Sequence, residues 1–296
     1  MCDKFTETEN ERWLADQSLG RRAFTVMSGA AAVAALVPGC RASTKAAPVI
    51  TPVTSQMVHI PTPDSVADAF FIHPTNGHHP AIIMWPDIAG LRDAYKEMGS
   101  RLAQAGYAVL VVNQYYRSAP APVLSSFNEW RTDAGSARLK PMIAAITPSA
   151  TTRDAAAFID WLDGRSEVDG KRKIGTCGYC MGGPFTFRAA AVRPDRIGAL
   201  ASFHGGNLVD GTPDSPHLLI GKLKAAMLIA IAQNDDQREP DVKTALRTAA
   251  NAAKQQAEIT VYPAQHGWCT IDSPVYNREQ AEMAWDRLLV TFKSYL

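Results

Sequence analysis

Cys180 lies in the run Gly178-Tyr179-Cys180-Met181-Gly182-Gly183, between a short apolar stretch at 174–177 and a helix-like stretch at 184–192. A thiol with glycine two residues to either side, where a strand passes into a helix, has the pattern of a nucleophile elbow with cysteine in place of serine. The turn is so tight that a side chain at 178 or 182 would clash. It lifts the nucleophile above the strand end and aims the N–H of Met181 at a developing oxyanion. The helix beginning there brings its positive end to the thiol, which lowers the thiol pKa. The chemistry open to such a cysteine is acyl transfer through a covalent intermediate.

That chemistry needs a base and a carboxylate to orient it. On an α/β-hydrolase scaffold they follow in the order nucleophile, acid, histidine. The run 226–232 reads as a buried strand, and Gln233-Asn234-Asp235-Asp236 follows it. Asp235 is the expected acid, with its neighbour Asp236 in reserve. A helix pattern over about 241–256 and a strand at 258–262 lead to Pro263-Ala264-Gln265-His266-Gly267-Trp268. His266 therefore falls in the loop after that strand. Cys180, Asp235 and His266 stand in the required order and in the required loops.

The elements that must hold them alternate along the chain. Strands are expected at 69–73, 81–85, 107–112 and within 193–203, and helices at 93–105, 150–162 and 276–295. Gly106 serves as the cap of the first of these helices. The strand at 107–112 is apolar throughout, as a parallel sheet covered on both faces requires. Such alternation predicts an α/β-hydrolase fold: a doubly wound, mainly parallel sheet with helices on both faces. Ligands then bind at the carboxyl ends of the strands. His204, at one such end, and Trp268, two residues past His266, are candidate substrate contacts. The segment 118–148, with four prolines and Trp130, is expected over the cleft mouth.

From about residue 82 onward the chain resembles the dienelactone hydrolases. The motifs that carry the resemblance are the Cys180 run, Trp85-Pro-Asp-Ile-Ala-Gly-Leu-Arg92, Leu102-Ala-Gln-Ala-Gly-Tyr-Ala-Val109, Tyr115-Tyr-Arg117 and Tyr262-Pro-Ala-Gln-His-Gly267. The resemblance implies hydrolysis of a lactone or activated ester through a cysteine acyl-enzyme, with no metal or organic cofactor. It implies that Asp87 contacts the resting thiol, that Ile88 adds a second oxyanion N–H, and that Arg117 meets a substrate carboxylate. Thr270 stands where the dienelactone enzyme carries a second arginine, so weak activity on dienelactone itself is expected.

Hydrophobic residues make up 46% of the 296 and charged residues 20%, with a formal net charge of +1. This is an ordinary globular composition, and no basic balance points to nucleic acid. Residues 1–40 read as an export leader: a polar start, then Arg21-Arg22, then an uncharged, alanine-rich stretch to Gly39. The paired arginines predict a twin-arginine signal, the Tat translocase as a transient partner, and an exported or periplasmic protein. Val37-Pro38-Gly39-Cys40 resembles a lipoprotein box, which makes Cys40 a candidate lipid anchor. Residues 41–56 read as a linker and 57–296 as the hydrolase domain.

Two other function classes fit parts of the chain. Cys177 and Cys180 form a C-x-x-C, which could serve thiol redox chemistry or half a zinc site. A non-catalytic binding protein could also use a hydrolase scaffold, and a broken triad would be its sign.

Overall fold

The computed structural model describes residues 4–27, with side chains at 5–16, and residues 51–296. The Cys40 box and the first part of the expected linker lie outside the described residues.

The first helix, α1 (Lys4–Met27), precedes β1 (Val53–Pro61), β2 (Val66–Pro74) and β3 (Ala81–Trp85). Then follow α2 (Asp93–Gln104), β4 (Ala108–Val112), α3 (Phe127–Trp130), α4 (Asp133–Ala144) and α5 (Pro148–Asp163). Next come β5 (Ile174–Tyr179), α6 (Gly183–Val192), β6 (Ile197–Phe203) and α7 (Pro216–Leu219). The chain closes with β7 (Ala226–Ala232), α8 (Gln233–Arg238), α9 (Val242–Ala252), β8 (Ala257–Tyr262) and α10 (Arg278–Tyr295).

The strands form one eight-stranded sheet in the order β1-β2-β4-β3-β5-β6-β7-β8. β1 and β2 are antiparallel to their neighbours, and every pairing from β4 to β8 is parallel. This is the expected α/β-hydrolase architecture. The strands β3 to β7 are buried along their whole length because helices cover both faces. Alternate residues feed two cores. Ile83 and Trp85 join Phe158 of α5 and Phe187 of α6 on one face, while Ile82 and Met84 join Tyr95 of α2 and Phe292 of α10 on the other.

Helix starts follow side-chain chemistry. Thr147 accepts a hydrogen bond from Ala150 N, with Pro148 as the first helical residue of α5, so that helix begins ahead of its expected start. Gly106, with φ of +102°, closes α2 as expected. The expected linker gives way at Val53, where β1 begins. Most of β1 is exposed because it is the edge strand, so its residues carry little apolar signal. The segment 118–148 contributes α3 and α4. Of residues 1–40, the described part is the helix α1, whose residues 5–16 lie against the rest of the chain.

Candidate active site

The elbow is closed by backbone contact. A Cβ on Gly178 would lie 2.1 Å from the carbonyl oxygen of Gly182, and one on Gly182 would lie 2.3 Å from that of Trp85. Cys180 itself has φ of +51°, a left-handed conformation that costs a non-glycine residue on the order of 1–3 kcal/mol. The carbonyl of Cys180 accepts a hydrogen bond from Gly206 N at 3.2 Å, which ties the elbow to the loop after β6. Met181 follows in a single 3₁₀ turn that leads into α6.

His266 arrives from the loop after β8. Its Nδ1 lies 2.6 Å from Asp235 Oδ2. Asp236, the reserve, instead holds the Lys243 ammonium at 2.6 and 2.7 Å. The backbone N–H of His266 donates to Asn234 Oδ1 at 2.8 Å, so the residue before the acid also fixes the histidine loop. The Cys180 thiol and the His266 ring are both almost fully buried, at 0% and 1% exposure. Burial alone would lower the imidazole pKa. The Asp235 and Cys180 charges, with the hydrogen bond to Asp235, outweigh it and raise the pKa to about 10.

His204 stands beside this pair. Its ring lies 4.9 Å from that of His266 and 5.2 Å from that of Trp268. Both of its ring nitrogens are buried without a hydrogen-bond partner. Burial, and then the charge on His266, push its pKa well below the usual value, so the ring stays neutral. Trp268, the other expected substrate contact, lies deeper. It is fully buried and stacks on Tyr262 at 5.2 Å, packing in the core on the α2 and α10 face.

Asp87, expected beside the thiol, has a guanidinium partner. Its two carboxylate oxygens receive Arg92 Nη1 and Nη2 at 2.7 and 3.0 Å, and Oδ1 also accepts from Ala89 N. Burial pushes its carboxyl pKa up against the pull of Arg92. The carboxylate is paired with the guanidinium and also lies within electrostatic reach of Cys180. Arg92, 0% exposed, spends its five N–H donors on Asp87, Asp272 and the carbonyl of Gly90. Asp272 in turn accepts from Phe127 N at 3.0 Å. This clip joins the loop after β3, the histidine loop and α3. Sequence reading missed it, because nothing local to Arg92 announces a partner 180 residues away.

Arg117, expected at a substrate carboxylate, is held by two carboxylates of the chain itself. Its guanidinium is held by Asp64 Oδ2 at 2.6 and 2.9 Å and by Asp154 at 2.7 and 2.8 Å. Both carboxylates draw it toward the β1–β2 turn and α5, into a structural ion pair. Ile88 sits in the loop after β3, where Tyr115 Oη donates to its carbonyl at 2.7 Å. Thr270 Oγ1 meets Tyr95 Oη at 3.3 Å.

Cys177 and Cys180, three residues apart, belong to opposite cores of the sheet. Burial pushes the Cys177 thiol pKa far up, which keeps it a thiol. Among the described residues no group of three or more His, Cys, Asp or Glu side chains is arranged to hold a metal ion.

Residues of α1 lie over the trio: Asn10 Nδ2 donates to the carbonyl of His266 at 3.1 Å. A cavity of about 470 Å³ opens elsewhere, between α2 and α10. Smaller hollows of about 190 and 170 Å³ lie beside α1 and beside Met181.

Comparison with known proteins follows the same lines. The model of the family described as "Dienelactone hydrolase family" matches residues 67–296. A candidate carboxymethylenebutenolidase of Methylorubrum extorquens is 26% identical over 286 residues, covering 95% of each chain. One from Escherichia coli K12 is 27% identical over 268 residues, 84% of this chain and 94% of its own. The crystal structure of a candidate dienelactone hydrolase from Klebsiella pneumoniae superposes with a TM-score of 0.72 at 25% identity, covering 82% of this chain and all of that one.

Proposed function

We propose, from the premise that this chain belongs to the dienelactone hydrolase family, that it hydrolyses a lactone or activated ester through a thioester on Cys180. The observation that carries this reading is the 2.6 Å contact between His266 Nδ1 and Asp235 on strand ends that also bear the Cys180 elbow. The raised pKa of His266 favours an imidazolium beside a Cys180 thiolate in the resting site.

The thiolate attacks the substrate carbonyl carbon. The carbonyl electron pair moves to oxygen, where the N–H groups of Met181 and Ile88 meet it. Collapse expels the alkoxide, which takes its proton from His266. The neutral imidazole, held in one tautomer by Asp235, then removes a proton from water. The resulting hydroxide attacks the thioester, and collapse releases the acid and restores the thiolate.

Arg117 is committed to Asp64 and Asp154, and Thr270 is neutral. Neither position of the family's arginine clamp is then available for a substrate carboxylate, which favours neutral or larger esters. The test is a panel of neutral and carboxylated esters and lactones with wild type and Cys180→Ala, joined to intact-mass detection of the acyl-enzyme. Turnover surviving in Cys180→Ala would overturn the mechanism.

The leader reading belongs to the same proposal. Arg21-Arg22 directs export through the twin-arginine route, and Cys40 is the point of lipid attachment. Replacing both arginines by lysine strands the protein in the cytoplasm, and Cys40→Ala abolishes membrane partitioning. Unchanged fractionation of either variant would sink the corresponding part.

A further inference from the structure

The cleft above Cys180 is filled by the chain's own N-terminal helix, which enters it with polar side chains. Thr6 and Asn10, one turn apart, are buried, and Glu7 is partly so. A helix built into a core buries an apolar stripe. Here Phe5 is 59% exposed, and the first turns of the inward face carry hydroxyl, carboxylate and amide groups, with only half-buried Trp13 and Leu14 beyond them. Burial, foremost, raises the pKa of Glu7. Its carboxyl also feels Arg131, His266 and Cys180, so it sits within electrostatic reach of the catalytic pair.

The attachment is a charge match. Arg131, at the end of α3, holds Glu7 at 3.1 Å and Glu11 at 2.5 Å. Arg238, at the end of α8, holds Glu9 at 2.5 Å and reaches Thr6 at 3.2 Å. The two arginines stand on separate elements of the hydrolase domain, and α8 is the element that carries Asp235. The fit is incomplete inside: Glu7 Oε1 and Asn10 Oδ1 are buried with no hydrogen-bond partner. A permanently packed element seldom leaves a carboxylate oxygen so placed.

We infer that the cleft mouth is a docking site for an acidic helix, supplied in cis by residues 5–16, and that its docking closes the route to Cys180. The consequence for turnover rests on the hydrolase reading above, whereas closure itself is read on the thiol. Arg21-Arg22 lies in the same helix, so processing that removes the leader also removes the cover.

The test is the rate at which iodoacetamide alkylates Cys180 in the full chain, followed by mass spectrometry of its peptide. Glu7→Lys/Glu9→Lys/Glu11→Lys turns three attractions into repulsions and is expected to speed alkylation roughly tenfold or more. Arg131→Glu alone is expected to do the same from the domain side. Combining Arg131→Glu with Glu7→Arg/Glu11→Arg is expected to restore slow alkylation, which simple damage to the fold would not. Equal rates in wild type and both charge-reversed chains overturn the proposal, as does failure of the charge swap to restore protection. Faster alkylation with parallel gain in ester hydrolysis supports closure and the hydrolase reading together. Faster alkylation with no hydrolysis in any variant supports closure and sinks the hydrolase reading alone.

Discussion

Cys180 and Asp235 hang from β5 and β7, which are buried along their whole length, and His266 follows the edge strand β8, while the helix over them is held by partly exposed ion pairs. The catalytic elbow has glycines that nothing larger can replace, and a histidine fixed through both its ring and its backbone N–H. The cover has arginine–glutamate pairs of the kind that contribute about 0.2–1 kcal/mol each when exposed. One region is over-determined and the other is loosely tethered. The difference implies that the two respond to substitution on different scales.

The largest expected effect lies at the nucleophile. Cys180→Ala should lower kcat by roughly 10⁴–10⁶-fold with an unchanged circular dichroism spectrum. Residual turnover near wild type would place the chemistry elsewhere.

Asp235→Asn comes next, with an expected loss of roughly 10³–10⁴-fold. It also tests the charge balance. The His266 pKa is raised from 6.5 to about 10, so the stability it contributes is full below pH 6.5 and lost as pH rises through 10. Removing the Asp235 charge should move that loss to lower pH, seen in urea titrations and in the thiolate absorbance of Cys180. Asp236→Asn should leave both nearly unchanged; if it instead matched Asp235→Asn, the acid would have to be moved by one residue.

Arg92→Met should cost about 3–5 kcal/mol, because Asp87 would be left buried without its counter-charge. A second substitution, Asp87→Leu, should recover part of that loss, and a double-mutant cycle in urea measures the coupling. Additive costs would mean that the clip does not act as a unit.

The smallest effect on turnover belongs to Arg117→Ala, where we expect equal kcat/KM on neutral and carboxylated esters, with about 3–5 kcal/mol lost in stability because Asp154, 2% exposed, is left without its counter-charge. A selective loss on carboxylated substrates would return Arg117 to the cleft.

The same contrast governs what was legible in the sequence. β3, β4 and β7 announce themselves as apolar runs because both of their faces are covered. β1 did not, since an edge strand with one exposed face offers no such run. The pairing of Asp235 with His266 was legible because the fold fixes the order of the loops that carry them. The choice between Asp235 and Asp236 was not, since adjacent residues in a helical turn point about 100° apart and only the three-dimensional turn selects one. Arg117 and Arg92 show the limit most clearly. The sequence marks both as arginines near a strand end, but it does not carry the identity of the carboxylates that capture them. Residues 5–16 looked merely polar, and a polar helix declares no partner until the charged rim that receives it is in view.

The split of Cys177 and Cys180 between the two faces of the sheet has a consequence for oxidative damage. A peroxide that converts the Cys180 thiol to a sulfenic acid finds, among the described residues, no second thiol on its own face of the sheet to capture it as a disulfide. Cys177 lies in the other core, and Cys269 lies there too. Rescue would then depend on a small external thiol entering the cleft, and without one the sulfur would proceed to the irreversible sulfinic state. If Cys180 is the nucleophile, the described part of the molecule gives it no partner for repair, and whatever shields the sulfur between turnovers also protects its working lifetime.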